Sequence, residues 1–213
     1  MPRTFGDMID RIADETTWST IDTQIARAIK DAVDQYSAER FWFNDQYRTT
    51  ATLSSASSTL IIPTTILSVS RVRLLSSSTE YTVTPRDRDY IEAMLEGDTG
   101  ATSRPIHYSI FGYDSATFSN VMVFDARADA DYPIILDGLR KFDELSATTD
   151  AGPWVNEAER LIRYAAKRIL YNDTIREPGE AMIAEAGEAS ALADLVAETS
   201  RRMATGRIRP TQW

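Results

Sequence analysis

The sequence predicts an α+β fold: N- and C-terminal helices packed as a helical bundle, with a central antiparallel β insertion of sandwich or barrel-like form. Three observations carry this expectation. Apolar residues recur at helical spacing before residue 40 and again after residue 153. The stretch between them is made of short runs rich in β-branched and aromatic residues, punctuated by serine, glycine and proline about every 8–12 residues. Where one pattern gives way to the other stands Phe41-Trp42-Phe43-Asn44. Each such ring buries roughly 150–250 Å², too much to leave in water. The expected division is residues 1–44 with 150–205 as the bundle, 45–149 as the β domain, and 206–213 as an extended C-terminal tail.

Thr4-Phe5-Gly6-Asp7 fits a capping box, and Phe5, Met8, Ile9, Ile12 and Ala13 follow at helical spacing, so a short helix ends near Glu15 to Thr17. Ser19-Thr20-Ile21-Asp22 is a second start signal. Ile21, Ile25, Ala28, Ile29, Ala32, Val33 and Tyr36 form one face of the helix it opens, which is expected to reach about Arg40. Tyr47 to Leu53 favours a strand, Ser54 to Ser58 reads as a hairpin loop, and Thr59 to Ile62 returns as a strand closed by Pro63. Further strands are expected at Val69–Leu75, with imperfect alternation, and at Tyr81–Val83. Asp87 to Leu95 reads as a short helix broken by Gly97-Asp98-Thr99-Gly100, with three more strands at Ile106–Phe111, Asn120–Phe124 and Tyr132–Leu139. No long helix separates these strands, which argues against parallel winding.

Pro153 sits well in a first helical turn, and Trp154, Ala158, Leu161, Ile162, Ala165 and Ile169 make a strong stripe. Glu157 and Glu159 near its start and Arg168 near its end suit the helix dipole. Pro178-Gly179 interrupts, and a final alanine-rich helix is expected from about Glu180 to Met203, with Gly206 as its stop. Its alanines permit close helix approach.

Composition excludes several classes of chemistry. The 213 residues contain no cysteine, which removes disulfides, thiolate metal sites and thiol nucleophiles. No apolar run approaches the roughly 20 residues of a membrane span, and the N-terminus lacks an apolar signal core, so neither a membrane anchor nor export by signal peptide is expected. A net charge of −9 opposes gripping DNA, since such binding neutralises phosphates. Lysine occurs only at Lys30, Lys141 and Lys167, so the basic residues are mostly arginine; interface ion pairing and compositional drift both account for that.

No catalytic constellation emerges, and no cofactor or metal is expected. His107 is the only histidine and lies in an expected strand, so it satisfies no triad or ligand set. Asp125, Asp129 and Asp131 lack the glycine turn and closing glutamate of a calcium loop, and read as a solvated inter-strand loop. Paired acids such as Asp143 and Glu144 are what a cell-wall hydrolase needs, but adjacency in sequence does not set their separation in space. Phosphate-binding and nucleophile-elbow motifs are missing. Phe41, Trp42 and Phe43 have few basic neighbours, so they read, with Trp154, as a helix–β junction core rather than a base-stacking platform. The tail is the candidate partner-binding segment. Arg207, Ile208, Arg209, Pro210 and Trp213 combine charge with apolar anchors, as interface residues do, although chain ends also fray.

The sequence resembles the head-to-tail adaptor, or connector, proteins of tailed bacteriophages. The patches that carry the resemblance are Thr4 to Ala13, Gln24 to Ile29, Glu39-Arg40-Phe41-Trp42-Phe43-Asn44, Pro105 to Gly112, Asn156-Glu157-Ala158-Glu159 with Leu161-Ile162, and Gly206-Arg207-Ile208-Arg209-Pro210. The resemblance implies a structural virion protein without enzymatic activity, assembled in the host cytoplasm. It implies a ring, commonly of twelve copies, beneath the portal vertex. The helices would pack around the channel, the β unit would face outward or toward a tail or nozzle protein, and the C-terminal tail would dock on the portal protein or an adjacent copy. Double-stranded DNA would pass through without sequence readout. A tail-completion or receptor-contacting protein that binds through its β domain is the alternative.

Overall fold

The computed structural model describes residues 3–16, 21–45, 47–97 and 101–204. The expected tail and the Ser19-Thr20 start signal lie outside the described residues. The chain divides into two compact units: a helical one up to Phe43 and from Phe142 on, and a β unit from Asn44 to Lys141. With helices at both ends and a sheet between, the fold is α+β.

The helical unit begins with α1 (Phe5–Thr16), opened by the capping box the sequence predicts. The Thr4 N–H donates to Asp7 Oδ2 at 2.8 Å and the Asp7 N–H donates to Thr4 Oγ1 at 3.2 Å. Helix α2 spans Asp22–Tyr36. It stops short of the expected Arg40 because the backbone N–H and hydroxyl of Ser37 both donate to the Asp34 carbonyl, at 3.3 and 2.9 Å. The expected helix after Pro153 is split into α4 (Pro153–Asn156) and α5 (Glu159–Ile169). Asn156 marks the break. Its amide nitrogen donates to the Gly152 carbonyl and its Oδ1 accepts the Arg3 N–H at 2.8 Å, which ties the chain's start to this corner.

Helix α5 runs into a π-helical turn, Leu170–Ile175, closed by Arg176 in the left-handed conformation. Helix α6 (Pro178–Ala204) then starts at Pro178 itself, where a missing N–H costs nothing, so Pro178-Gly179 opens this helix instead of preceding it. Its close approach to α5 depends on Gly187: a Cβ there would lie 2.6 Å from the Tyr164 ring. Met8, Ile12, Ile25, Ile29, Leu161, Ile162 and Ala165 pack in one core.

The β unit is a nearly closed seven-stranded barrel: β1 (Tyr47–Leu53), β2 (Thr59–Ile61), β3 (Ile66–Ser76), β4 (Thr79–Pro85), β5 (His107–Asp114), β6 (Ser119–Phe124) and β7 (Tyr132–Arg140). They run in the order β1-β7-β3-β4-β5-β6-β2. Leu53, Leu74, Met122, Phe124, Ile134 and Leu136 fill the interior. Two expectations are corrected here. Ser54 to Ser58 is not a hairpin loop, because β1 pairs with β7 and β2 with β6. A hairpin does form at β3–β4, where Ser77 and Ser78 take φ of 48° and 72°, the double left-handed geometry of a tight turn. The sheet is not wholly antiparallel: β4 and β5 pair in parallel through α3 (Arg88–Glu96), at Thr84 with His107 and Pro85 with Tyr108. The imperfect alternation of β3 comes from two register shifts against β7. At that irregularity Gly138 is required, since a Cβ would sit 2.0 Å from the Ser68 carbonyl oxygen.

Candidate functional site

The aromatic run folds into the helical unit. Phe41 is 1% exposed and Trp154 4%. Phe43 lies edge-on to Trp154 at 5.2 Å between centroids, stacks on Phe41 at 5.5 Å, and meets Phe142 at 6.2 Å. Phe43 and Phe142 are where the chain leaves and re-enters the helical unit, so their contact pins both crossings together. Trp42 stays half-buried, with the Arg202 guanidinium 3.8 Å from its ring centroid. Trp42, Phe43, Gly152, Pro153, Asn156 and Glu157 line an open recess of about 570 Å³.

Two ion networks hold the helices. Glu159 is 6% exposed and accepts from Arg3, Arg11 and Arg163, each at 3.1 Å. Glu15 on α1 accepts from Arg163 at 2.5 and 2.6 Å and from Lys167 at 3.1 Å. Burial opposes ionisation of Glu15, but these hydrogen bonds outweigh it and hold its carboxyl below the ordinary value. In the second network Glu188, also 6% exposed, accepts the Tyr36 hydroxyl at 2.6 Å and Arg168 Nε at 2.5 Å. Burial first, then the hydrogen bond to Glu188, pushes the Tyr36 hydroxyl well above its usual range. The sequence shows these charges but not their burial; the placement of Glu159 near a helix start suits the dipole equally well with the side chain in water.

Helix α6 carries the feature most suited to assembly. Its inner face buries Ala181, Ala184, Glu188, Ala191, Leu195 and Thr199. Its outer face presents Met182, Ala186, Ala189, Ala193, Val196, Ser200 and Met203, at alternating spacings of four and three residues. That alternation matches the heptad spacing of a helix that packs against another helix. Met182 is 71% exposed, Ile183 64%, Val196 48% and Met203 37%. Among the described residues of the helical unit, these are all of its exposed large hydrophobics. The seven seam positions carry no charge. The alanine content announces this face in the sequence; its stagger was missed because the inner stripe overlaps it.

The β unit offers less order and more scatter. His107 lies in β5, where its Nδ1 is 2.8 Å from Asp125 Oδ2. Asp125 is 6% exposed and also accepts the Ile106 N–H, so it is a buried clamp and not part of a solvated loop as expected. Asp129 accepts the Tyr132 hydroxyl and Asp131 the Ser55 N–H, so the three aspartates point to separate partners. Among the described residues no group of three or more histidines and carboxylates is placed to hold a metal ion, and no helix is long and apolar enough to cross a membrane. The β5–β6 hairpin tip presents Tyr113 at 60% exposure and Phe118 at 78%, the latter with φ of 52°. Arg207, Ile208, Arg209, Pro210 and Trp213 lie outside the described residues.

No curated protein matches the chain significantly. A family model described as SU10 adaptor protein matches residues 3–211, which includes both units and most of the tail. That match agrees with the resemblance to phage head-to-tail adaptors carried by the sequence patches. The chain belongs to the SU10 adaptor protein family.

Proposed function

We propose that this adaptor is a structural virion protein that forms a homo-oligomeric ring, of twelve copies, joining the capsid portal to the tail and lining part of the DNA channel. The observation that carries the reading is the uncharged heptad-spaced face of α6, which has no cover among the described residues. A face of that kind is a contact between proteins, and a ring of identical copies supplies the cover. Arg207, Ile208, Arg209, Pro210 and Trp213 dock on the portal or a neighbouring copy, and Phe41, Trp42, Phe43 and Trp154 form the junction core that holds the two chain crossings. Double-stranded DNA passes without sequence-specific contact, and a tail or nozzle protein meets the β unit.

The test is negative-stain imaging of the purified chain mixed with portal rings. The expected result is an added ring on the portal, lost on deleting Arg207 to Trp213 and lost in Val196→Asp, with both variants still folded by circular dichroism. A chain that stays monomeric and ignores the portal overturns the reading.

A tail-completion or receptor-contacting role has one observation in its favour, the exposed Tyr113 and Phe118 at the β5–β6 tip. Binding of the chain to host-cell surface glycan through that tip, with no portal binding, is the result that selects it.

A further inference from the structure

We propose that the recess lined by Trp42, Phe43, Pro153 and Glu157 is a docking site for residues 205–213 of the same chain, occupied before assembly. The proposal rests on the adaptor reading only for its consequence, the release of the segment to a partner. Where α6 ends is the first support. Ala204 lies two residues past Arg202, whose guanidinium stands 3.8 Å from the centre of the Trp42 ring that lines the recess. Nine residues follow Ala204. Extended, they reach roughly 30 Å, ample to enter a cavity that begins beside their origin. A site so near its own segment fills at a high effective concentration.

Chemistry matches as well. The recess is lined by two aromatic side chains and a proline ring, and its volume of about 570 Å³ lies in the range of sites that hold a small ligand. The segment carries Ile208, Pro210 and Trp213, which stack on or fill such a surface. Charge is complementary too. Glu157 is exposed, lines both this recess and the adjoining groove along α6, and has no side-chain partner among the described residues. Asp194 and Glu198 in the same groove are already paired, with Arg160 at 2.7 Å and with Arg202 at 2.6 Å. Glu157 therefore remains for Arg207 or Arg209. Docked in this way, the segment hides the anchors that the portal needs, and portal binding must displace it.

The absence of cysteine makes a clean test. Gly152 lines the recess and has open space where a Cβ would go, so Gly152→Cys is tolerated there. The double variant Gly152→Cys/Thr211→Cys, in the full chain, is oxidised and run under non-reducing conditions. The expected product is an intrachain disulfide at monomer mass, at a rate independent of protein concentration. Formation should slow by roughly three- to ten-fold when Arg207 and Arg209 are both changed to Glu. Cross-linked dimers and ladders whose yield rises with concentration would place the segment on a second copy and overturn docking in cis. A rate equal to that of the control pair Asp10→Cys/Thr211→Cys would overturn the site altogether. These readouts need no portal, so failure of portal binding and failure of the recess are separate results.

Discussion

Replacing Glu159 by glutamine tests whether a buried carboxylate holds α1 against α5. The side chain accepts from three guanidinium groups. Arg3 and Arg11 have side chains 54% and 44% exposed, so each contributes about 0–1 kcal/mol. Arg163 is only 10% exposed, and a hydrogen bond to a charged partner in such a place is worth about 1.5–3 kcal/mol. Arg163 keeps Glu15 at 2.5 and 2.6 Å, which favours the lower end, so Glu159→Gln should cost about 2 kcal/mol. The assay follows from composition. None of the four tryptophans, at positions 18, 42, 154 and 213, falls in the β segment Asn44–Lys141, so tryptophan fluorescence in urea follows the helical unit through Trp42 and Trp154. A second variant sharpens the test. Glu15→Gln with Glu159→Gln strips Arg163 of both carboxylates, so the double loss should exceed the sum of the single losses by about 1 kcal/mol. An effect of Glu159→Gln below about 0.5 kcal/mol, or strict additivity, would refute a buried network.

Three further outcomes are expected. Gly138→Ala forces a Cβ to within 2.0 Å of the Ser68 carbonyl oxygen, so β3 and β7 must separate; a loss of about 2–4 kcal/mol in urea unfolding followed by tyrosine fluorescence or circular dichroism is expected, and an unchanged midpoint would show that the register shift yields. Asp137 is opposed by burial but held below its ordinary value of 3.8 by Arg48 and Arg73, as Glu15 is held below 4.5 by Arg163 and Lys167. Folded values below unfolded ones mean stability that is full above the unfolded values and lost as pH falls through the folded ones, so urea midpoints should be flat above about pH 6 and drop below about pH 4, with Asp137→Asn and Glu15→Gln flattening the drop. Copies carrying −9 each repel one another, and an uncharged seam adds no attraction that salt could screen; ring assembly should therefore strengthen from about 0.05 to 0.5 M salt, and rings that dissolve on adding salt would point to ion-paired interfaces instead.

Legibility in the sequence followed the range of the interactions. Thr4 and Asp7 cap each other across three residues, and the box is read directly from the chain. The strands at 107–114, 119–124 and 132–140 fall close to their expected positions because alternation is local. Their partners are not local. Nothing near Leu53 says that it pairs with Tyr132, and the serine loop after it looks like a hairpin turn whichever strand comes next. Helix ends failed for a related reason: Ser37 and Asn156 stop their helices with hydrogen bonds that periodicity cannot register. Asp125 was misread because a carboxylate between short strands is usually wet, and only the fold brings His107 and the Ile106 N–H to it. On α6 the alanines were visible, but two overlapping stripes on one helix blur into all-round hydrophobicity, and burial was needed to separate inside from outside.

The arginine bias, left open between compositional drift and interface pairing, takes a third meaning once the contacts are known. Arg3, Arg11, Arg48, Arg73, Arg88, Arg160, Arg163, Arg168, Arg201 and Arg202 each pair with a carboxylate of their own chain. Guanidinium groups engaged in this way are poor grips for phosphate, because each new contact must first break an existing pair. The acid excess, a net charge of −9, likewise opposes a grip on any polyanion. Past the described end of α6 the sequence adds Arg207 and Arg209. Ten arginines committed to internal pairs and one helix face without charge suit contact with proteins better than contact with a polyanion.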